Sequence, residues 1–198
     1  METNRRNLVK ILSLGALFPG LSVNALSSIL ESIPSNKALS NDLLTDYKKN
    51  NIDKLYKNAI VIDGLVIPRG WNEASFEALA KSGYTGFGAS LASGNLKVAL
   101  ESLTEWSNRI NKNSDRLICA KSADDFIRAK KENKAAVLLG FQNATMIEKS
   151  IDNINTLYEA GTRWIQLTYN ERNLLGDGCT ERTNAGLSDF GIDAVERM

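Results

Sequence analysis

Histidine is absent from all 198 residues of this chain. Its absence excludes a histidine general base, a Ser-His-Asp triad and any histidine-ligated metal formed by this chain alone. Cysteine is almost absent too, since Cys119 and Cys179 are the only two and form no CxxC pair. A metal site made from two separate thiols is therefore not expected. Both are predicted to be buried free thiols, with a disulfide as the alternative if the protein is exported.

Neither sign of charge dominates, because 24 basic and 23 acidic residues leave a formal net charge of +1. This balance provides no electrostatic case for binding nucleic acid or an anionic membrane surface. The chain is 43% hydrophobic and 24% charged, which is an ordinary globular composition.

Acidic residues are missing between Glu2 and Glu31, where a basic start is followed by an apolar segment. Arg5 and Arg6 precede this segment, and small residues follow it at a spacing that signal peptidases accept. The pattern favours a twin-arginine-type export signal over residues 1–25. The alternative is a short amphipathic helix packed on the domain. Export predicts a periplasmic protein that meets the membrane only through this signal.

The rest of the chain divides into a linker region and one domain. Residues 26–58 are predicted to form a polar linker that runs into a helix capped by Ser40. Over residues 59–198, short apolar runs alternate with amphipathic stretches, which predicts a parallel sheet. The predicted strands are 59–63, 84–90, 116–120, 135–140 and 163–168. The predicted helices are 74–82, 95–111, 123–133, 152–160 and 189–198.

Two α/β architectures fit this alternation, an open doubly wound sheet and a (β/α) barrel. No GxGxxG or P-loop motif follows a predicted strand, which argues against a nucleotide-binding open sheet. A closed barrel typically takes about 250 residues, more than residues 59–198 provide. We therefore predict a partial (β/α)8 TIM barrel with about five strands, the N-terminal part of a longer protein.

Polar residues follow every predicted strand. They are Asp63, Ser90, Lys121, the pair Gln142 and Asn143, and the pair Tyr169 and Asn170. The C-terminal ends of barrel strands share one rim, so we expect Asp63, Gln142 and Tyr169 to surround a common pit. Asp63 and Asn143 also suit an ordinary role as a turn or cap residue.

Four stretches carry a family resemblance: VIDG at 61–64, LLGFQNA at 138–144, DNINTLYEAGTRWIQLTYNERNLLGDGC at 152–179, and GLSDFG at 186–191 with the AVERM that follows soon after. They resemble the N-terminal half of the membrane (renal-type) dipeptidases, peptidase family M19. The resemblance implies a barrel of the metal-dependent hydrolase type, in which two zinc ions activate the water that cleaves a dipeptide amide bond.

The departures from that family pattern fall on the metal site. The His-x-Asp that follows the first strand in the family corresponds to Leu65 and Ile67, neither of which binds zinc. The metal-bridging glutamate corresponds to Gln142, and the substrate-contacting histidine to Tyr169. The resemblance implies zinc, but on the first strand Asp63 is the one acidic residue that could be a zinc ligand.

The candidate catalytic residues are Gln142, which would orient a water or a carbonyl, and Tyr169, which would donate to a developing oxyanion. The candidate substrate-binding residues are Asn143, Asn170 and Arg172. For Arg172, the alternative is a salt bridge to Asp177 or Glu181 within its own loop.

Three functions remain open at this stage. The first is a dipeptidase-family hydrolase of small peptides, present here as a truncated chain that is inactive alone. The second is a metal-free binding protein or pseudoenzyme built on the same barrel. The third is a fragment without function, whose open sheet edges would favour aggregation.

Overall fold

The computed structural model describes residues 41–198, apart from the side chains of 41–48 and 50. The chain divides into two compact units, Met1–Asp53 and Lys54–Met198. The predicted export signal, the linker before residue 41 and the Ser40 cap lie outside the described residues. Within residues 41–198, no helix is both long and apolar enough to cross a membrane.

Strands and helices alternate along the described chain as the sequence predicted. The helices are α1 (Asn41–Asn58), α2 (Glu73–Ser82), α3 (Leu96–Lys112), α4 (Ala123–Glu132), α5 (Asp152–Glu159) and α6 (Asp189–Arg197). The strands are β1 (Ile62–Val66), β2 (Gly86–Ser90), β3 (Leu117–Ala120), β4 (Ala135–Phe141) and β5 (Trp164–Ile165). A short 3-10 helix, Thr145–Ile147, lies between β4 and α5.

Local side-chain chemistry fixes where two of these helices begin. Ser122 and Asp125 form a capping box at the start of α4, and their spacing of three residues is typical of this motif. Asn72 and Ser75 form the same arrangement at the start of α2. The helix α5 ends at Glu159 with Ala160 as its C-cap, and Gly161 follows directly with a positive φ of 114°.

All pairings in the sheet are parallel, and β4 is its central strand. Along one edge β4 pairs with β2, from Gly86 opposite Ala136 to Ser90 opposite Gly140. Its other edge is shared by β3 and β5. The strand β3 pairs with the lower part of that edge, and β5 with Gly140 and Phe141 at its upper end. This sharing explains why β5 has only two residues, whereas the sequence predicted six.

The position of β3 corrects one expectation about the rim. Consecutive strands were expected to end at one level, but Ala120 at the end of β3 lies opposite Leu138. Lys121 therefore follows a strand end that is three residues below the end of β4 at Phe141. It does not share the level of Gln142.

One face of the sheet packs against a layer of helices and forms the core. Phe87, Val137, Leu139 and Phe141 alternate along β2 and β4 on this face and are at most 1% exposed. They pack with apolar side chains of α3, α5, α6 and the 3-10 helix. Trp71, after β1, stacks on Phe87 with ring centroids 5.3 Å apart and is therefore part of this core.

The opposite face, which we call the inner face, carries the residues that alternate with this core. At its lower end Phe126 of α4 packs with Ala136 and Ile118. Higher up, the indole of Trp164 lies against Gly140 and donates from Nε1 to the carbonyl of Leu138 at 3.2 Å. Apart from α4 at the lower end of the inner face, helices lie on one side of the sheet and inward-facing side chains on the other, as in half of a (β/α)8 barrel.

Gly140 is required by this packing. A Cβ at this position would overlap both the backbone carbonyl oxygen and the indole ring of Trp164. Replacing Gly140 by alanine is expected to lower the free energy of unfolding by about 1–3 kcal/mol, because a strand pairing must open to admit the methyl group. Urea unfolding of the whole chain would measure the change.

Gly64→Ala is the matched control, since nothing lies within 4 Å of a Cβ built at Gly64. Its free energy of unfolding is expected to change by less than about 0.5 kcal/mol. Equal effects of the two substitutions would contradict the packing of Trp164 on Gly140.

Candidate functional site

Ser90 and Gln142 meet where β2 and β4 end. Ser90 lies opposite Gly140, and Gln142 is two residues beyond Gly140, so both side chains lie on the inner face. The hydroxyl of Ser90 donates to Oε1 of Gln142 at 3.1 Å. Both residues are half-buried. This polar contact is the centre of the candidate site.

The register of β1 separates Asp63 from this centre. Asp63 pairs with Phe87, which lies opposite Val137, so it is five residues below Gln142. At about 3.3 Å per residue this is roughly 16 Å along the sheet. The Asp63 carboxylate accepts from the backbone N–H of Leu65 at 3.0 Å, which is the local turn role that the sequence left open.

Apolar residues hold the β1 positions that do reach the rim. A bulge between Asp63 and Val66 brings Val66 opposite Ala89, and Ile67 therefore follows at the level of Ser90. Leu65 and Ile67 are 44% and 54% exposed. Of the two positions that the family resemblance assigns to metal ligands, Ile67 is thus level with Ser90 and Leu65 lies two residues below it, and both carry hydrocarbon.

Asn143 is held by an asparagine that sequence reasoning missed. Its Oδ1 accepts from the backbone N–H of Ala144 at 2.9 Å and from Nδ2 of Asn173 at 2.8 Å. Asn173 also donates to the carbonyl of Leu167, while its own Oδ1 accepts from the N–H of Leu175. Asn173 therefore ties the loop after β5 to the end of β4. An asparagine two residues before a backbone donor is a recognisable turn signal.

Tyr169 and Asn170 lie in this loop and are exposed. The carbonyl of Tyr169 accepts from the N–H of Cys179, and that of Asn170 from both the N–H and the hydroxyl of Thr180. Their backbones are fixed by these bonds. Within residues 41–198, the hydroxyl of Tyr169 makes no hydrogen bond, so nothing in this part of the chain aims it at Gln142.

The expected salt bridge of Arg172 with Asp177 is present. Arg172 Nε lies 2.6 Å from the Asp177 carboxylate, whose side chain is only 5% exposed. Its backbone N–H donates to Glu181 at 2.8 Å. The guanidinium is therefore engaged in holding the loop, although 58% of the side chain stays exposed.

Both cysteines are free, and only one fits the expected burial. Cys119 is half-buried, and burial raises the pKa of its thiol. Cys179 is exposed, contrary to the prediction, because it lies in the long loop and not in the core.

The side chains at the rim lack the ligands that a zinc site needs. In the described residues no three or more Cys, Asp or Glu side chains gather where they could hold a metal ion. Leu65 and Ile67 offer no donor atoms, and the neutral amide of Gln142 cannot bridge two cations. The described residues therefore do not fit the zinc pair, and no chemical step is assigned to a metal here.

Solved structures identify the class of fold. The fold matches that of an amidohydrolase from Pseudomonas aeruginosa with a TM-score of 0.70 and 35% identity. The match covers 74% of this chain and 45% of the amidohydrolase. The probable dipeptidase PvdM from the same organism matches with a TM-score of 0.61 and 16% identity, over 75% of this chain and 46% of that one. The predicted partial barrel of the hydrolase type is confirmed.

The family follows from the sequence. The profile of the membrane dipeptidases, peptidase family M19, matches residues 23–198, and the chain belongs to this family. The dipeptidase verJ of Clonostachys rogersoniana is 27% identical over 106 residues, which are 52% of this chain and 27% of verJ. The dipeptidase tcpJ of Claviceps purpurea is 31% identical over 87 residues, 43% of this chain and 20% of tcpJ. The matched segments thus span about a quarter of these curated relatives.

The carboxylate of Asp177 predicts an acid-sensitive loop. Hydrogen bonds from the Ala185 N–H, then from Arg172 and Thr183, hold the pKa of Asp177 below its ordinary value. A folded pKa below the unfolded value of about 3.9 means that Asp177 stabilises the loop above that pH. This contribution is lost as the pH falls through the lower, folded pKa. We expect the protection of the Ala185 amide against hydrogen exchange to decline below about pH 4.

Asp177→Asn is expected to reduce this protection already at neutral pH and to remove its dependence on acid. Asp193→Asn is the control, because Asp193 is exposed and its side chain makes no hydrogen bond among the described residues. Unchanged protection of Ala185 in the Asp177 variant would show that the carboxylate does not hold the loop.

Proposed function

We propose that this chain forms the N-terminal half of a membrane dipeptidase-family hydrolase that cleaves an amide bond in a small peptide. The observation that carries the proposal is the family match over residues 23–198. The 35% identity to an amidohydrolase across the half-barrel supports the same reaction class. Peptide or closely related amide substrates follow from the dipeptidases among the relatives.

The side chains of the candidate site can orient a substrate or a water molecule, but they cannot activate water by removing its proton. Gln142 presents an amide at the rim, which can hydrogen-bond a carbonyl or a water but cannot take up a proton at neutral pH. Tyr169 would reach the substrate only from an exposed loop position, as a donor to a developing oxyanion. Asn143, Asn170 and Arg172 support the loop first, since each is bonded to protein groups.

We propose that the 198-residue chain does not hydrolyse peptides by itself. It contains no histidine, and its described carboxylates form no cluster that could activate a water. In this proposal, the chain is a truncated form and the missing activation comes from the remaining half of the barrel. The export signal of residues 1–25 would place the protein in the periplasm.

The alternative is a metal-free binding protein on the same half-barrel. The observation that favours it is the set of substitutions at the rim, where Leu65, Ile67 and Gln142 stand at the positions of the family's ligands. Such a protein would keep recognition of an amide and lack hydrolysis even with the rest of the barrel present. Zinc content and turnover separate the two functions.

The purified chain is expected to retain no zinc after dialysis and to release no amino acids from a panel of dipeptides, with or without added zinc. Elemental analysis and an amino-group assay measure these two results. Zinc-dependent turnover by the unmodified chain would contradict the proposal that the chain is inactive by itself. It would also contradict the alternative of a metal-free binding protein.

The combined substitutions Leu65→His, Ile67→Asp and Gln142→Glu restore the ligand types of the family at the rim. This variant is expected to retain zinc, because imidazole and carboxylate are zinc ligands. A control with Ile127→His and Ile192→Asp adds the same two ligand types on α4 and α6, at exposed positions. Equal zinc retention by variant and control would show that the rim does not preserve a metal position.

A further inference from the structure

In the contact between Ser90 and Gln142, the oxygen end of the glutamine amide is occupied. A primary amide has one accepting oxygen and one donating NH2 group. In Gln142 the oxygen accepts from the Ser90 hydroxyl at 3.1 Å. Among the described residues Nε2 has no hydrogen-bond partner, and it is not among their buried unpaired polar atoms. The NH2 group is therefore open to solvent, and hence to a ligand.

The inner-face residues around this NH2 group are uncharged, and they include a second amide, Gln166, which follows Ile165 at the level of Gln142. On the same face of the sheet, the indole of Trp164 lies against Gly140, which is opposite Ser90, and close to Gly88, two residues below Ser90. Its only polar atom, Nε1, is already bonded to the Leu138 carbonyl. On the β1 side, the exposed residues at this level are Leu65 and Ile67. The NH2 group of Gln142 therefore lies near hydrocarbon side chains and the neutral amide of Gln166, whose Nε2 donates to the Thr168 carbonyl at 2.7 Å.

We propose that Ser90 is a positioning residue, which turns the Gln142 amide so that its NH2 group binds an uncharged carbonyl oxygen of an amide ligand. This inference deepens the proposed function, on which it rests for the identity of the ligand as a peptide. An amide carbonyl fits because it accepts one hydrogen bond, and its alkyl substituents fit against the indole.

The probe is N-acetyl-L-alanine methylamide, a neutral amide without a hydrolysable dipeptide terminus. Its binding to the full chain is followed by NMR through the side-chain NH2 signals of Gln142, assigned by their loss in Gln142→Ala. The probe is expected to shift these signals in a saturable manner. Butylammonium, which has no acceptor, is expected to leave them in place.

The serine is tested by two substitutions with different outcomes. Ser90→Ala lets the amide rotate, and the probe is expected to bind about three- to tenfold more weakly, the effect of one net hydrogen bond. Ser90→Thr keeps the hydroxyl and is expected to restore the affinity. Ser150→Ala is the matched control, because Ser150 is exposed and its hydroxyl makes no hydrogen bond among the described residues.

A merely structural role of Ser90 would shift the backbone signals of β2 and β4 without the probe and leave the affinity unchanged, which would overturn the proposal. Gln142 signals that the probe does not move would overturn it as well. The outcome is separate from that of the proposed function. Probe binding without hydrolysis by any complete form of the protein would keep this site and remove the hydrolase.

Discussion

The pairing of β4 on both of its edges is the constraint on which the described structure depends. β2 pairs with β4 along its full five residues, and this register places Ser90 opposite Gly140. The opposite edge is divided between β3 and β5 at Leu138 and Gly140. Because parallel pairing fixes both register and face, one strand decides which residues form the core, which lie under Trp164 and which reach the rim.

This constraint produces a rim with little charge. The positions that meet at the ends of β1, β2 and β4 carry Leu65, Ile67, Ser90 and Gln142, none of which is ionised. In the neighbouring loop, Arg172 is paired with the nearly buried Asp177, and this pair serves the structure of the loop. Hydrogen bonding and hydrocarbon contact are thus the interactions that the residues at these strand ends offer to a ligand.

Much of the fold could be predicted from the sequence because its signals are local. The Ser122 and Asp125 spacing determines the start of α4, and the alternating apolar runs identify every strand of the sheet. The candidate site could be predicted only in part. Gln142 was expected at a strand end, whereas its partner Ser90 is 52 residues away and no local pattern joins them. Asp63 was misplaced because β1 continues beyond it to Val66, so that Asp63 lies within the strand and not at its end.

The family and the class of fold could be predicted from the amino-acid sequence alone, since the longest stretches that resemble the family are continuous in the chain. The lack of histidine is also evident from the sequence, and it excludes imidazole as a ligand from this chain. Only the tertiary structure decided that β3 lies below the rim, that Asn173 holds Asn143, and that the oxygen of Gln142 is occupied and its NH2 group free. These features arise from contacts between segments distant in sequence, whose geometry follows from strand register and packing and not from the neighbouring residues.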